Sequence, residues 1–459
     1  MSDSTTAPAA KARGGGFLLA VLYVTALFFI WAFVTNLVDP LVKSMMVIYH
    51  LSNLEAQLNQ FAFFIAYGVM SIPSAWYLAK YGYANSIILG LIGIIAGCLI
   101  AFSTAFSHTF VTVLIGLFVA ASGITLLQVA ANPLIAAMGD PKGSHFRLNL
   151  SQAFNSMGAY VGGLFGAAFL LKGPLFDKNV VPTQEMKNAG LHFVTNVYFE
   201  IAVVFAIFTL AVFLVRNTIA AHSPARAAHV ESPFSALGSK WANLGSIGIF
   251  LYVGAEVCVI SGLIFFLEQE QILNVPSQIA GFIAPIFMLF AMFGRFIGSG
   301  LLAIFKATTM LTLVALGAAI LCCVVIFTYH MAPAPMGGTV NLFGYETQLT
   351  TGFIPGFAAV LIGLFNSIMF PTIFTLTLER SSAPASATSG LMCMAICGGG
   401  FISILYGFVV DQLQHSFPVG ARSLAFVVPL VCYLYVLWFT QAAKKAPVHA
   451  IEEGVASAH

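Results

Sequence analysis

Apolar residues along the chain do not alternate or recur every third or fourth position; they fill long unbroken runs. Twelve runs can be marked, at about 17–42, 54–79, 84–105, 108–138, 145–172, 192–215, 243–267, 276–304, 308–330, 352–378, 385–410 and 420–442. Each reaches or exceeds the roughly 20 residues that an α-helix needs to cross about 30 Å of hydrocarbon. The pattern predicts an all-α integral membrane protein of twelve transmembrane helices. A longer polar stretch, 216–242, separates the sixth run from the seventh, so the expected organisation is a tail (1–16), a six-helix half (17–215), a linker (216–242), a second six-helix half (243–443) and a second tail (444–459). The run from Phe17 is too long for the apolar core of a signal peptide, and no small-residue cleavage site follows it.

Composition removes the soluble alternatives. Charged residues make up 7% of the 459 positions and hydrophobic ones 59%, against about 25% charged in a soluble domain. The net charge of +2 and the lack of a basic, aromatic-interleaved stripe give no reason to expect nucleic acid as a partner. All seven cysteines lie in apolar runs without a neighbouring His or acid, which reads as small hydrophobes and not a metal site. The sequence has no HExxH pair, no GxSxG elbow and no nucleotide loop, so an enzyme is not expected.

Lys and Arg set the direction of the runs. With the N-terminus inside, 13 of the 18 fall on the cytoplasmic side and 5 (Lys43, Lys172, Lys178, Lys187, Arg422) on the other, so both termini are expected in the cytoplasm. The two halves echo each other. Gln128 precedes Pro133 by five residues in run four, as Asn366 precedes Pro371 in run ten; Gly158, Gly162 and Gly163 in run five answer Gly398, Gly399 and Gly400 in run eleven. The shared order points to two parallel repeats.

Polar residues inside the runs are the candidate machinery, because an ionised group at a helix centre costs roughly 2.5–3.5 kcal/mol on insertion scales. Asn36 and Asp39 share a face of run one; Gln128 and Asn132 share one on run four, and Gln152 and Asn155 on run five. Amides both donate and accept hydrogen bonds, which suits a hydroxylated solute. Interhelical hydrogen bonding is the plainer role for any one of them, but four amides on two neighbouring runs point to a polar cavity, with Asn366 as a fifth member. Trp31, Phe61, Phe64, Tyr67 and Phe370 offer stacking faces. Glu256 lies well inside run seven. Arg295, at the cytoplasmic end of run eight, and Arg147, between runs four and five, read as gate or loop-anchoring charges, or as side chains reaching the headgroups.

These residues resemble the fucose:proton symporter family of the major facilitator superfamily, and within it the bacterial glucose/galactose branch. The resemblance covers about 17–442 and rests on Leu27–Asp39, Ala130-Ala-Asn-Pro133, His145–Ser156, Tyr252-Val-Gly-Ala255, Gly294-Arg-Phe296, Phe370-Pro-Thr-Ile-Phe374 and Gly398-Gly-Gly400 taken together. It implies two six-helix domains around a central sugar cavity, and import of a monosaccharide with a cation by alternating access. Asp39 matches the acid on the first helix that serves coupling. Gln152 and Asn155 match positions associated with the sugar. The family's second acid, on helix four, is Gln128 here, and an amide cannot take up a proton, so a two-carboxylate relay does not carry over. Glu256 is the candidate replacement. Sodium held by oxygen ligands near Asp39 is the alternative to a proton. The expected partners are the sugar and the lipid bilayer, with the protein a monomer, no cofactor, and an uncoupled sugar facilitator as the nearest rival.

Overall fold

The apolar runs form helices, because in hydrocarbon every backbone N–H and C=O needs a partner and a helix supplies one within a single segment. The computed structural model describes residues 15–49, 53–107, 109–170, 183–224, 232–328, 333–417 and 419–449. Six long helices fall in the described residues of the first half: α1 (Gly15–Tyr49), α2 (Asn53–Tyr81), α3 (Tyr83–Phe102), α4 (Phe110–Ala137), α5 (Ser144–Leu170) and α6 (Gln184–Ala221). Six follow in the second, four of them interrupted: α7 (Lys240–Leu267), α8 (Ser277–Ile283, then Ile286–Leu302), α9 (Ala307–Phe327), α10 (Phe353–Asn366, then Met369–Leu378), α11 (Ala385–Met394, then Gly398–Ser416) and α12 (Ala421–Leu424, then Val427–Ala443).

Eleven helices among the described residues are long and apolar enough to cross a membrane. The remaining run, the fifth (α5), is not among them; its first half carries His145, Arg147, Asn149, Ser151, Gln152, Asn155 and Ser156. The outward face of the bundle is apolar, as a lipid-facing surface requires: on α6, Val204, Ile207, Leu210 and Leu214 are all more than half exposed. Two sequence expectations shift. The first helix continues through Pro40 to Tyr49 and does not end at residue 42. The segment 331–351, expected as a plain loop in an all-α protein, contains an antiparallel hairpin, β1 (Pro335–Leu342) and β2 (Tyr345–Thr350). Phe343 and Gly344 make its two-residue turn with φ of +52° and +89°, the signs that a tight hairpin connection requires, and the Asn341 side chain accepts from Gly344 N–H at 2.7 Å.

Packing repeats with a shift of six helices. The pairs α1–α5, α1–α6, α2–α4, α3–α4 and α3–α6 recur as α7–α11, α7–α12, α8–α10, α9–α10 and α9–α12. Lipid offers no hydrophobic drive for such contacts, so close backbone approach through small residues supplies it. A Cβ at Gly158 would stand 2.2 Å from the Phe29 carbonyl oxygen, and one at Gly398 would stand 2.2 Å from the Phe250 carbonyl oxygen. The same glycine seat thus joins the fifth helix of each half to the first.

The halves meet through α5 with α8 and α10, and through α11 with α2 and α4. The described side-chain contacts across this seam share one end of the bundle. They involve the first half of α5 (Ser144 to Ser156), the second half of α10 (Thr372 to Glu379), the second half of α8 (Arg295, Phe296) and the first half of α11 (Ser389 to Gly400). Because successive helices alternate in direction, all of these lie toward the end that carries the chain termini.

Candidate functional site

Proline creates the first polar features of the seam. Pro133 and Pro371 have no N–H, so each leaves the carbonyl four residues earlier without its helical partner. Those carbonyls belong to Val129 and Ser367, one residue past Gln128 and Asn366. Both are taken by side chains: Ser389 of α11 donates to Val129 O at 2.8 Å across the seam, and Arg295 Nε donates to Ser367 O at 2.8 Å. The echo read in the sequence is therefore a pair of main-chain acceptors facing inward.

On the first-half side, the amides are brought together on α4 and α5. Gln152 Nε2 donates to Asn132 Oδ1 at 3.1 Å, and Asn132 Nδ2, fully buried, has no hydrogen-bond partner. Gln128 Nε2 donates to the Tyr67 hydroxyl of α2 at 2.6 Å, which also places Tyr67 in this wall. Asn155 Nδ2 turns to α1 and donates to Phe28 O at 3.1 Å. Asn36 Nδ2 donates to Ala32 O of its own helix at 2.9 Å. The side chain of Asp39, and with it the candidate cation site, lies outside the described residues. Arg147 is a loop anchor: it gives hydrogen bonds to Ile135 O, Ala136 O and Asp140 O, tying the start of α5 to the end of α4.

On the second-half side the polar groups are charged. Arg295, counted among the charges of the cytoplasmic end, lies inside the bundle with 12% of its side chain exposed. Its Nη2 stands 3.9 Å from Glu256 Oε1, and its Nη1 crosses the seam to Gln152 O at 3.3 Å and to the Ser156 hydroxyl. Asn366 is apart from the amide wall. It is fully buried in the second half, where Tyr252 donates to its carbonyl at 3.0 Å and its side-chain amide has no hydrogen-bond partner.

Sequence reasoning missed a second crossing. Nearer the terminal end, His145 Nε2 lies 3.3 Å from Glu379 Oε2, His145 Nδ1 contacts the Thr375 hydroxyl, and Ser144 donates to Glu379 Oε1 at 2.7 Å. Arg380 binds Ala443 O and Leu376 O and lies 3.5 Å from Glu379; the Glu379 carbonyl accepts from His449 N–H at 2.7 Å. Burial opposes ionisation of the Glu379 carboxyl, but the hydrogen bonds and charge of His145, the Ser144 hydroxyl and Arg380 outweigh it and hold the pKa below the ordinary 4.5. The adjacent Glu379-Arg380 pair closing a span was the available signal. No group of three or more His, Cys, Asp or Glu suited to a metal occurs among the described residues.

A bundle of apolar helices whose packing repeats between its two halves is the architecture that comparison with known proteins also gives. The model for the Major Facilitator Superfamily matches residues 20–404. The chain is 34% identical to the "Glucose/galactose transporter" of Brucella abortus biovar 1 (strain 9-941), over 94% of this chain and 95% of that protein. It is 30% identical to the "L-fucose-proton symporter" of Escherichia coli (strain K12), over 93% of each. Among solved structures it is similar to a major facilitator superfamily transporter, FucP, in the outward conformation, with a TM-score of 0.74, 26% identity, and coverage of 93% of this chain and 99% of that one. Its family model, its relatives and its packing agree: the chain belongs to the major facilitator superfamily of membrane transporters.

Proposed function

We propose that this protein is a secondary active transporter that imports a monosaccharide of the glucose/galactose type together with a proton, by alternating access. The observation that carries the reading is the amide wall of α4 and α5, in which the Gln152–Asn132 hydrogen bond and the unpartnered Asn132 Nδ2 leave donors and acceptors suited to sugar hydroxyls. The names of the relatives support sugar as the cargo and a proton as the driving ion. Gln128, Asn132, Gln152, Asn155 and Asn366 are the sugar-binding side chains in this reading, with Asn366 the one contributed by the second half. Asp39 with Asn36 is the proton site on the first half, and Glu256 is the acid of the second.

The domains are 17–215 and 243–443, joined by the linker 216–242, with tails at 1–16 and 444–459. The chain sits as a monomer in the inner membrane with both termini in the cytoplasm, an orientation supported by the Lys and Arg distribution. The end at which the halves touch is then cytoplasmic, and the cavity opens outward. One proton moving down 100 mV gains about 2.3 kcal/mol, enough for roughly fifty-fold accumulation at 1.36 kcal/mol per decade, so a single coupling carboxylate suffices.

The test is uptake of labelled hexoses into proteoliposomes under an imposed proton gradient, an imposed sodium gradient, or neither. Accumulation above the external concentration with the proton gradient alone is expected. Equal uptake under all three conditions would make the protein an uncoupled facilitator, accumulation only with sodium would replace the ion, and no uptake of any hexose would end the sugar reading.

A further inference from the structure

Arg295 carries hydrogen bonds to both sides of the seam, as Glu379 does nearer the terminal end. On its own half it is seated twice, on the Ser367 carbonyl freed by Pro371 at 2.8 Å and beside Glu256 at 3.9 Å. Across the seam it holds Gln152 O and the Ser156 hydroxyl of α5. Gln152 and Ser156 sit on the helix that also carries the amide wall, so the guanidinium ties that wall to α8. The two sides of this contact differ in kind. The seat on the second half includes a carboxylate; the grip on the first half is to neutral oxygens alone.

The groups facing the pair are few. Tyr252 lies one turn before Glu256 on α7 with its hydroxyl on the Asn366 carbonyl, Ser367 meets the guanidinium from α10, and Gln152 and Ser156 meet it from α5. Glu256 is thus the only carboxylate against the guanidinium among the described residues. A guanidinium remains charged at any biological pH. Inside the bundle it therefore depends on Glu256 for compensation, and loss of that charge leaves a buried cation that water would stabilise far better.

Building on the transporter reading above, we propose that Arg295 is a charge-gated clasp between the two halves, with Glu256 as its control. Ionised Glu256 keeps the guanidinium within the bundle and on α5, which holds the terminal end shut. A proton bound by Glu256 removes the compensation, the guanidinium leaves α5 for water, and the halves part at that end. Gln128 then needs no acid of its own, because the charge that governs closure resides in the second half. Arg295 acts here as a positioning residue.

The clasp is tested without sugar, by the distance between spin labels at Lys142 and Lys445, both exposed, at the terminal end and on opposite halves. In wild type, lowering the pH is expected to convert a short distance to a longer one. Glu256→Gln should hold the longer distance at every pH, changing the ratio of long to short by about tenfold, as for one hydrogen bond to a charged group. Glu256→Asp, which keeps the charge, should retain the pH response. Arg295→Met should open the same end, and adding Glu256→Gln to it should change nothing further. A wild-type distance that ignores pH, a Glu256→Gln distance that matches wild type, or additive effects in the double variant would each overturn the clasp. Hexose uptake by the same wild-type preparation separates the two readings. A pH-dependent distance with no uptake removes the sugar cargo and leaves the clasp, whereas normal uptake with a pH-insensitive distance removes the clasp alone.

Discussion

The two halves share a packing plan but not a chemistry. In the first half α2 and α4 continue through Pro73 and Pro133, and the described inward groups of α4 and α5 that meet one another are neutral amides. In the second half α8, α10, α11 and α12 are interrupted, and Glu256 and Arg295 stand where the first half has no described charge. The proline-freed carbonyl is common to both, yet Ser389 takes one and a guanidinium takes the other. Repetition of a fold therefore conserves where an acceptor points, while the residue that answers it decides whether a half binds neutral hydroxyls or responds to charge. Broken helices suit the second task, since they expose further main-chain oxygens to polar partners.

The sharpest way to break this contrast is to remove charge from the first half. Asp39→Asn is expected to abolish the roughly fifty-fold accumulation that one cation at 100 mV supports while leaving exchange of sugar across the membrane. Full concentrative uptake by that variant would confine coupling to the second half. The glycine seats test instead whether the halves are alike in packing. Gly158→Val and Gly398→Val each drive a side chain into a carbonyl 2.2 Å away and should each cost about 1–3 kcal/mol, read as matched drops in melting temperature. A loss in one half only would show that the repeat is not mechanical.

The seam itself can be probed at its terminal end. Glu379→Gln keeps an acceptor but removes the charge facing His145 and Arg380, with an expected loss of about 1.5 kcal/mol from the closed arrangement. Because the folded pKa of Glu379 lies below 4.5, its contribution is complete above the ordinary carboxylate range and is lost as pH falls through the depressed value. Thermal unfolding of wild type and variant should therefore converge in acid and separate near neutrality; a constant offset would place the effect elsewhere. The smallest change is Ser389→Ala, which strands Val129 O at a cost of about 1 kcal/mol and is visible in detergent stability but not in the affinity for sugar.

Much of this was legible in the sequence. The lengths of the apolar runs give the helices, and the Gln128–Pro133 and Asn366–Pro371 spacing together with the paired glycines gives the repeat. Where the reading fell short, the determining partner lies far along the chain. Arg295 reads as a gate or loop-anchoring charge from its place near the end of run eight, but the groups it meets, Ser367, Glu256 and Ser156, are none of them local. The His145–Glu379 contact spans 234 residues, and nothing in either segment announces the other. Asn366 groups with the amides because Gln128 is its echo; in the fold it is fully buried in the second half, with the Tyr252 hydroxyl of α7 on its main-chain carbonyl. The hairpin did have a local mark, Gly344 between alternating residues, obscured by the glycine and proline that also mark an irregular loop.

The proline-freed carbonyls carry a consequence for substitution tolerance. A main-chain oxygen is the same whatever side chain stands above it, so the acceptors at positions 129 and 367 are written not at those positions but four residues later. Saturation mutagenesis of Val129 and Ser367 should find changes that alter size and shape while the acceptor persists. Any replacement of Pro133 or Pro371 supplies an N–H that competes for the same oxygen, and so reaches Ser389 and Arg295 without touching either.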